Sequence, residues 1–365
     1  MHILIGYGYF IGTTGTYFEE TLRQPHQVTF VGTPWSERPG FAPNMDIAEV
    51  AAHLTPKPDL FIYVDSGRAF YFPRGLERIE CPTVCYLIDA YPPETGLPNT
   101  MRLRMAPFFD YLFVANKGCI DLYSHARDDL PVRWLPLAGD PAVQRDMVLE
   151  RIYDVGFVGA IGGAYTERTA ALARLSKRWK MNDYTRPYYG EEMARIYSQS
   201  KIVLNITLGR ILNMRIFEAP PCGALLLTKR ADNGQNDLFR EGEHFDTFET
   251  LDELEHKVEY YLAHPEERER IARAGQAWAL SHHTYAQRAQ QILDTLAAHP
   301  EEQGSAPVRH WSPATVRTRY ATLYSMLRLL DATMDEWTAL RQMRTGRISA
   351  TLDLAKALLR RVKYG

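Results

Sequence analysis

Six short apolar runs punctuate the first part of the chain: HILIGYG from His2, QVTFVG from Gln27, LFIYVD from Leu60, TVCYLID from Thr83, YLFVAN from Tyr111 and VRWLPL from Val132. They are rich in Val, Ile, Phe and Tyr, and most close on Gly, Asp or Asn. Runs of this length with little polar alternation predict parallel strands buried on both faces, with C-terminal ends that open onto loops. Helix-like segments lie between several of them, as from Met45 to His53. Repeated strand–helix alternation predicts a doubly wound α/β sheet.

A second series begins at Tyr153. YDVGFVGAIGG reads as a strand and a glycine-rich turn, TERTAALARLSKRW as a helix, KIVLNIT as a strand, RIFEAPP as a short helix and ALLLT as a strand. Two helices follow, Leu251 to Ala263 and Pro265 to His282. Pro265 suits a first helical position, and Glu266 and Glu267 suit the first turn. The join between the two series falls near Gly139 to Glu150. From Ala298 to Pro313 the chain turns loop-like, and Ser312 and Pro313 then predict an N-cap and helix start. Three regions are therefore expected: 1–145, 150–298, and a linker with a helical tail over 299–365. The last stretch, ATLDLAKALLRRVKYG, is amphipathic and basic at its end. It either touches an acidic membrane surface or packs back across the first domain.

Composition narrows the class. The 365 residues carry a formal net charge of -2, which argues against a nucleic-acid binder. The N-terminus lacks the basic region of a signal peptide, and no apolar run approaches a membrane span. Cys81, Cys85, Cys119 and Cys222 show no paired zinc spacing and suit buried thiols in a reducing cytoplasm. His53, His125 and His244 show no ligand spacing. His282 and His283 suit a helix end, and Asp140 suits a turn cap.

The glycine turn after Tyr153 places Gly159, Gly162 and Gly163 where backbone N–H groups and a helix N-terminus can meet phosphate; a plain tight turn explains the same residues. Arg168, one turn into the next helix, adds charge to such a site or faces solvent. In NMRIFE, Arg215 and Glu218 share one helix face. Asn213 and Arg215 suit a diphosphate and Glu218 suits the paired hydroxyls of a ribose. A surface ion pair accounts for them equally.

These stretches together resemble the donor domain of GT-B glycosyltransferases, specifically the spore-maturation (CgeB-like) family. The likeness rests on LPLAGDP, YDVGFVG, the tyrosine and arginine of AYTER, YGEEMARIYSQSKIVLNIT, NMRIFEAPPCGALLLT, NDLFREGEHF and the run from YYLAHPEERERIARAG to HHTYAQRAQQIL, roughly Leu135 to Leu293. It implies two Rossmann-like domains facing a cleft that holds a nucleotide-sugar donor, UDP-, GDP- or dTDP-linked. Glu218 then matches the ribose carboxylate, and Arg215 lies beside the diphosphate. Many retaining relatives carry a second glutamate eight positions earlier. Here that position is Arg210, so retention does not carry over, and Arg210 is a candidate for phosphate or an acidic sugar.

No two aspartates stand one residue apart, so leaving-group charge is expected to fall to arginine, helix N-termini and amides without a metal. The acceptor belongs to the first domain. Gly8, Tyr9 and Gly12 of GYGYFIG are candidates there, although the turn misses the spaced dinucleotide fingerprint. Asp65 and Asp89 end strands at the cleft edge, as acceptor bases or loop caps. Asp89 is the favoured base because Tyr91, Pro92 and Pro93 would shield it and raise its pKa. The expected protein is a cytoplasmic, metal-independent glycosyltransferase with no cofactor beyond its donor and an unidentified acceptor. Peripheral contact at the inner membrane face is allowed by the tail. The alternatives are an epimerase or hydrolase on the same fold, or a non-catalytic nucleotide-binding scaffold.

Overall fold

A computed structural model of the protein describes residues 1–9, 12–34, 38–65, 71–95, 99–209, 211–231 and 233–343. Arg210 and the basic C-terminal stretch lie outside these residues.

All six early runs are strands: β1 (His2–Gly6), β2 (Gln27–Phe30), β3 (Leu60–Asp65), β4 (Thr83–Leu87), β5 (Tyr111–Val114) and β6 (Val132–Trp134). They pair in parallel in the order β2-β1-β3-β4-β5-β6. Helices α1 (Thr14–Arg23), α2 (Ile47–His53), α3 (Thr100–Met105) and α4 (Ile120–His125) connect them. Strands β1, β3, β4 and β5 are buried along their whole length, which is why they show no polar alternation. The order reverses at β1, with β2 on one side and β3 on the other. Such a reversal opens a crevice at the C-terminal strand ends, where open α/β sheets take ligands.

The second sheet is also parallel: β7 (Tyr153–Gly156), β8 (Ser200–Asn205), β9 (Leu225–Lys229) and β10 (Asp246–Phe248), in the order β10-β9-β8-β7. Its helices are α5 (Thr166–Leu175), α6 (Glu191–Ser198), α7 (Arg215–Glu218), α8 (Gln235–Leu238), α9 (Leu251–Ala263) and α10 (Pro265–His282), and α11 (Tyr285–Ala298) follows them in the chain. The starts of α9 to α11 follow from local chemistry. Thr250 accepts from the Glu253 amide at the head of α9, Pro265 opens α10, and Thr284 and Gln287 form a capping box on α11. Strand β10 has no counterpart in the sequence reading, because a three-residue DTF run carries too little periodicity.

The chain crosses between the domains at residues 136–145 and again at 283–285, and the crossings bond to each other. Gly139 N–H donates to His283 O (2.9 Å), and Tyr285 N–H donates to Gly139 O (3.1 Å). Buried Arg288 ties down the carbonyls of Pro136 (2.8 Å) and Leu137 (3.3 Å). Gly139 must be a glycine here, since a β-carbon would stand 2.7 Å from Phe217 O.

After this crossing the chain stays with the first domain. Tyr285 stacks on Tyr17 with ring centroids 5.2 Å apart. Helices α12 (Pro313–Met326) and α13 (Leu330–Gln342) follow, α12 opening with the Ser312 cap and Pro313. Tyr320, Leu323 and Tyr324 join Phe72 and Phe108 in one apolar core. Among the described residues no helix is long and apolar enough to cross a membrane.

Candidate active site

Loops at the C-terminal ends of the two sheets meet, where Asn233 of the second domain bonds Gly118 and Asn116 of the first. In the second domain, β7 runs out at Gly156 into the turn that holds Gly159, Gly162 and Gly163. Gly162 and Gly163 have φ of 74° and 54°, a left-handed geometry that disfavours side chains. Their missing β-carbons would meet nothing within 4 Å, so this part of the turn is open. The Gly162 amide is held by Thr169 Oγ1 at 2.9 Å, which pins the turn to α5.

Arg215 lies under this turn, 7 % exposed. Its Nε donates to Val158 O (3.1 Å) and its Nη1 to Asn205 Oδ1 (2.8 Å), and Nη2 also reaches Val158 O. The guanidinium lies 4.5 Å from the Phe157 ring centroid. Asn213 supports it from the side, donating to the same Asn205 Oδ1 at 3.0 Å. Arg168 is 6 % exposed and ties α5 to both strand ends, donating to Ile206 O (2.9 Å) and Ala160 O (2.7 Å). Burial, and next the Arg215 charge, push its pKa down to about 10. Among the described residues both guanidiniums bond only neutral oxygens. Two buried cations left without a carboxylate bond partner keep a positive potential at the strand ends, and that favours an anion.

Glu218 is the converse. It is 8 % exposed and no described residue donates a hydrogen bond to its carboxylate. Burial raises its pKa to about 7, with the Arg215 charge pulling the other way. A buried carboxylate without a described donor, one turn after an arginine that bonds neutral oxygens, is an arrangement that suits a polar ligand.

In the first domain, Asp65 and Asp89 are both bound by Arg102. Asp65 is 2 % exposed and takes the Arg102 Nε, while Asp89 lies 3.5 Å from Nη2 with its side chain 37 % exposed. Burial, and then the Asp65 charge, raise the Asp89 pKa; Arg102 and a hydrogen bond from Tyr91 oppose the shift. The loop that carries Asp89 faces the second domain. A β-carbon on Gly209 of the second domain would stand 2.9 Å from the Thr95 side chain. Beside it, Asn233 Oδ1 accepts from the Gly118 amide and its Nδ2 donates to Asn116 Oδ1, both at 2.8 Å.

The first glycine turn is tightly built. Gly8 bridges to Thr33, and Gly12 adopts φ 73°. Tyr9 packs against Arg38, whose guanidinium sits 4.9 Å from the Tyr9 ring and 3.8 Å from that of Phe30. Arg38 also binds buried Glu19 at 2.5 and 2.6 Å. The Tyr9 ring thus has a cationic partner within the protein.

Arg102 and Asn205 escaped the sequence reading. Asn205 had a readable signal, since it ends the apolar run KIVLN as Asp65 and Asp89 end theirs. Arg102 had none, because its two partners come from different strands. One group of described residues offers metal-ligand geometry, His299, Glu301 and Glu302. It lies beside Tyr111, the first residue of β5, at the edge opposite the cleft, and Glu302 is already paired with Arg133.

The fold is that of the GT-B glycosyltransferases. Residues 145–294 match a family model described as glycosyl transferase-like. Among solved structures the chain is similar to Anabaena HepE in complex with UDP-glucose, at 13% identity and TM-score 0.58, over 82% of this chain and 100% of that one. It is similar to sucrose-phosphate synthase from Thermosynechococcus elongatus at 10% identity and TM-score 0.59, with the same coverage, 82% and 100%. It is also similar to UDP-GlcNAc 2-epimerase from Neisseria meningitidis bound to UDP-GlcNAc, at 13% identity and TM-score 0.50, again over 82% and 100%. No curated protein matches the chain by sequence.

Proposed function

We propose that the protein is a CgeB-like glycosyltransferase that moves a sugar from a nucleoside-diphosphate donor to an acceptor hydroxyl without a divalent metal. One observation carries this reading: Arg168 and Arg215 are buried on neutral partners beside an open glycine turn, and Glu218, one helical turn after Arg215, is buried with no donor among the described residues. A diphosphate satisfies the first need and a ribose diol the second. The glycosyl transferase-like model over residues 145–294 and the HepE likeness support the donor class.

The chemistry is a displacement at the anomeric carbon. The bond from that carbon to the diphosphate oxygen breaks, and the electron pair leaves with the nucleotide. The charge that grows there is met by Arg215 and the turn over Gly159 to Gly163, already oriented before reaction. The acceptor oxygen bonds to the same carbon and gives its proton to Asp89, the more exposed of the two Arg102-bound carboxylates. Asp65, held beneath it, would orient Arg102. Gly8, Tyr9 and Gly12 line the acceptor side. Arg210 would face the sugar end of the donor.

A thermal-shift screen of UDP, GDP and dTDP and their sugars tests the donor site, because a tight binder stabilises the folded state by mass action. Failure of all of them would end the nucleotide-sugar reading. Release of altered sugar or free nucleotide from a bound donor with no acceptor added would instead mark an epimerase or hydrolase, and binding without turnover a scaffold. Four free, buried cysteines suit a reducing cytoplasm. Contact with the inner membrane face would fall to the basic C-terminal stretch.

A further inference from the structure

Asn116 ends the apolar run YLFVAN at the C-terminal edge of β5, beside β4, whose run ends in Asp89. It stands at the N-cap of a single 3-10 turn over Lys117–Cys119. An asparagine there usually accepts from an amide of the turn, yet this side chain makes no cap bond. It is buried, 1 % exposed, and turned to two other partners. Its Nδ2 donates to Ala90 O at 2.7 Å, and its Oδ1 accepts from Asn233 Nδ2 at 2.8 Å. The first partner is the residue after Asp89. The second belongs to the other domain, in the loop between β9 and α8.

The Ala90–Tyr91 peptide unit, one residue past Asp89, is gripped on both sides. Its carbonyl takes the Asn116 amide, and its N–H donates to Asn99 Oδ1 at 2.9 Å. Asn99 also donates to Tyr91 O and accepts from the Tyr123 hydroxyl at 3.2 Å. Both asparagines are buried, so a lost bond leaves a polar group without water to replace its partner. Two side-chain amides thus fix the backbone beside the candidate base. They differ in what fixes them. Asn99 sits at the head of α3, within the first domain. Asn116 continues across the seam.

The far end of this chain of bonds is equally well set. Asn233 Oδ1 accepts from the Gly118 amide at 2.8 Å, so its side chain meets the 116–118 loop at two points. Gly234 follows at φ 85°, and a β-carbon there would stand 2.7 Å from the Trp134 ring, so the turn lies close against the first domain. A β-carbon on Gly118 would stand 3.3 Å from the Pro92 side chain and 3.4 Å from Asn233 Oδ1. The base loop and the second domain therefore converge on one point. The bonds run one way, from the Gly118 amide to Asn233, from Asn233 to Asn116 and from Asn116 to Ala90. Bonds linked head to tail polarise one another.

We propose that Asn116 is a positioning residue that makes the placement of Asp89 depend on domain docking. With the second domain in place, Asn233 orients the Asn116 amide toward Ala90 and the loop is held. With that domain displaced, the hold is lost. This rests on the reading of Asp89 as the acceptor base. Its consequence is that the base is set only when the cleft is closed over the donor sugar.

The test is hydrogen exchange followed by mass spectrometry on the full-length protein. The reporter is the Tyr91 amide, in the peptide covering residues 87–95, because Asn116 holds its peptide unit. Asn233→Ala should speed exchange there several-fold, although neither Asn233 bond reaches that segment. Asn116→Ala should speed it at least as much, and adding Asn233→Ala to it should change that peptide no further. Unaltered Tyr91 exchange in folded Asn233→Ala overturns the proposal, as do additive effects of the two substitutions. Asn233 is only partly buried, so its variant decides the matter if Asn116→Ala does not fold.

A second readout separates positioning from general support. In Asn116→Ala, kcat for nucleotide release from UDP-glucose, or from whichever nucleotide sugar binds in the thermal-shift screen, should fall about tenfold. Donor affinity by calorimetry should stay within about twofold of wild type. Equal losses in both would mark a merely structural asparagine and count against the proposal. Asp89→Asn tests the base reading by itself: if it keeps transfer, that reading falls and Asn116 has no base to position. If Asp89→Asn abolishes transfer while Tyr91 exchange ignores Asn233, only the role of Asn116 is lost.

Discussion

The guanidinium of Arg215 lies so close beneath Gly159 that a β-carbon on that glycine would stand 2.3 Å from its Nη2. The glycine is there for the arginine: the turn carries it at φ 154°, and the space a side chain would take is filled by the cation. Gly159→Ala must therefore displace Arg215 from Val158 O. Donor affinity is expected to fall at least about tenfold, roughly 1.4 kcal/mol, read by calorimetry. Unchanged affinity in a folded variant would separate Arg215 from the diphosphate.

Glu218 gives a prediction whose sign depends on pH. In the unfolded chain its carboxyl titrates at 4.5 and in the folded protein at about 7. Between these values the folded state holds the extra proton, so stability is lost as pH rises through that window. Glu218→Gln removes this loss. It should raise stability near pH 8 by at most about 3 kcal/mol and change it little near pH 4, while donor binding drops about tenfold or more. Chemical denaturation at the two pH values checks the first, calorimetry the second. A glutamate kept for structure would lose stability at both.

Asp65 and Asp89 should part company on substitution. Asp89→Asn is expected to abolish transfer while donor affinity stays within about twofold. Asp65→Asn leaves Arg102 buried without its closer carboxylate, at a cost of about 3 kcal/mol or more in stability. Substantial transfer by Asp89→Asn would remove it as the base.

Two contacts join the domains beside the candidate base, and they should differ in weight. Asn233→Ala loses both hydrogen bonds to the 116–118 loop. It should loosen the cleft, seen as an increased radius of gyration in solution scattering and a several-fold lower kcat. The neighbouring Lys117–Asp237 pair is half-exposed on both sides, so Asp237→Asn should cost less than about 1 kcal/mol and leave kcat unchanged.

On the proposed placement of the donor, activity should survive excess chelator, because Arg215 and the glycine turn would meet the leaving-group charge. Complete loss with chelator, restored by a divalent ion, would show that these groups do not suffice.

The sequence by itself determined whatever is local. Buried parallel strands announce themselves as unbroken apolar runs, so all six strands of the first sheet and β7 to β9 of the second were legible. Helix starts were equally so at Leu251, Pro265 and Pro313, because caps and first-turn charges act within one turn. The grouping of Asn213, Arg215 and Glu218 at a strand end was also readable. What distinguishes them from a surface ion pair was not: only the folded structure shows that both are buried, that Arg215 bonds neutral oxygens and that no described residue donates to Glu218.

Tertiary structure decided everything that depends on residues far apart in the chain. Asp65 and Asp89 look alike in sequence, each closing an apolar strand, and are told apart by Arg102, which sinks against one and merely borders the other. Strand β10 exists because β9 offers it an edge. Asn116 meets Asn233, 117 positions later, because the chain crosses the domain seam and the crossings bond to each other. Period and capping are written into short windows of sequence. The desolvation and charge pairing that turn a polar residue into a binding group exist only once the two domains are packed.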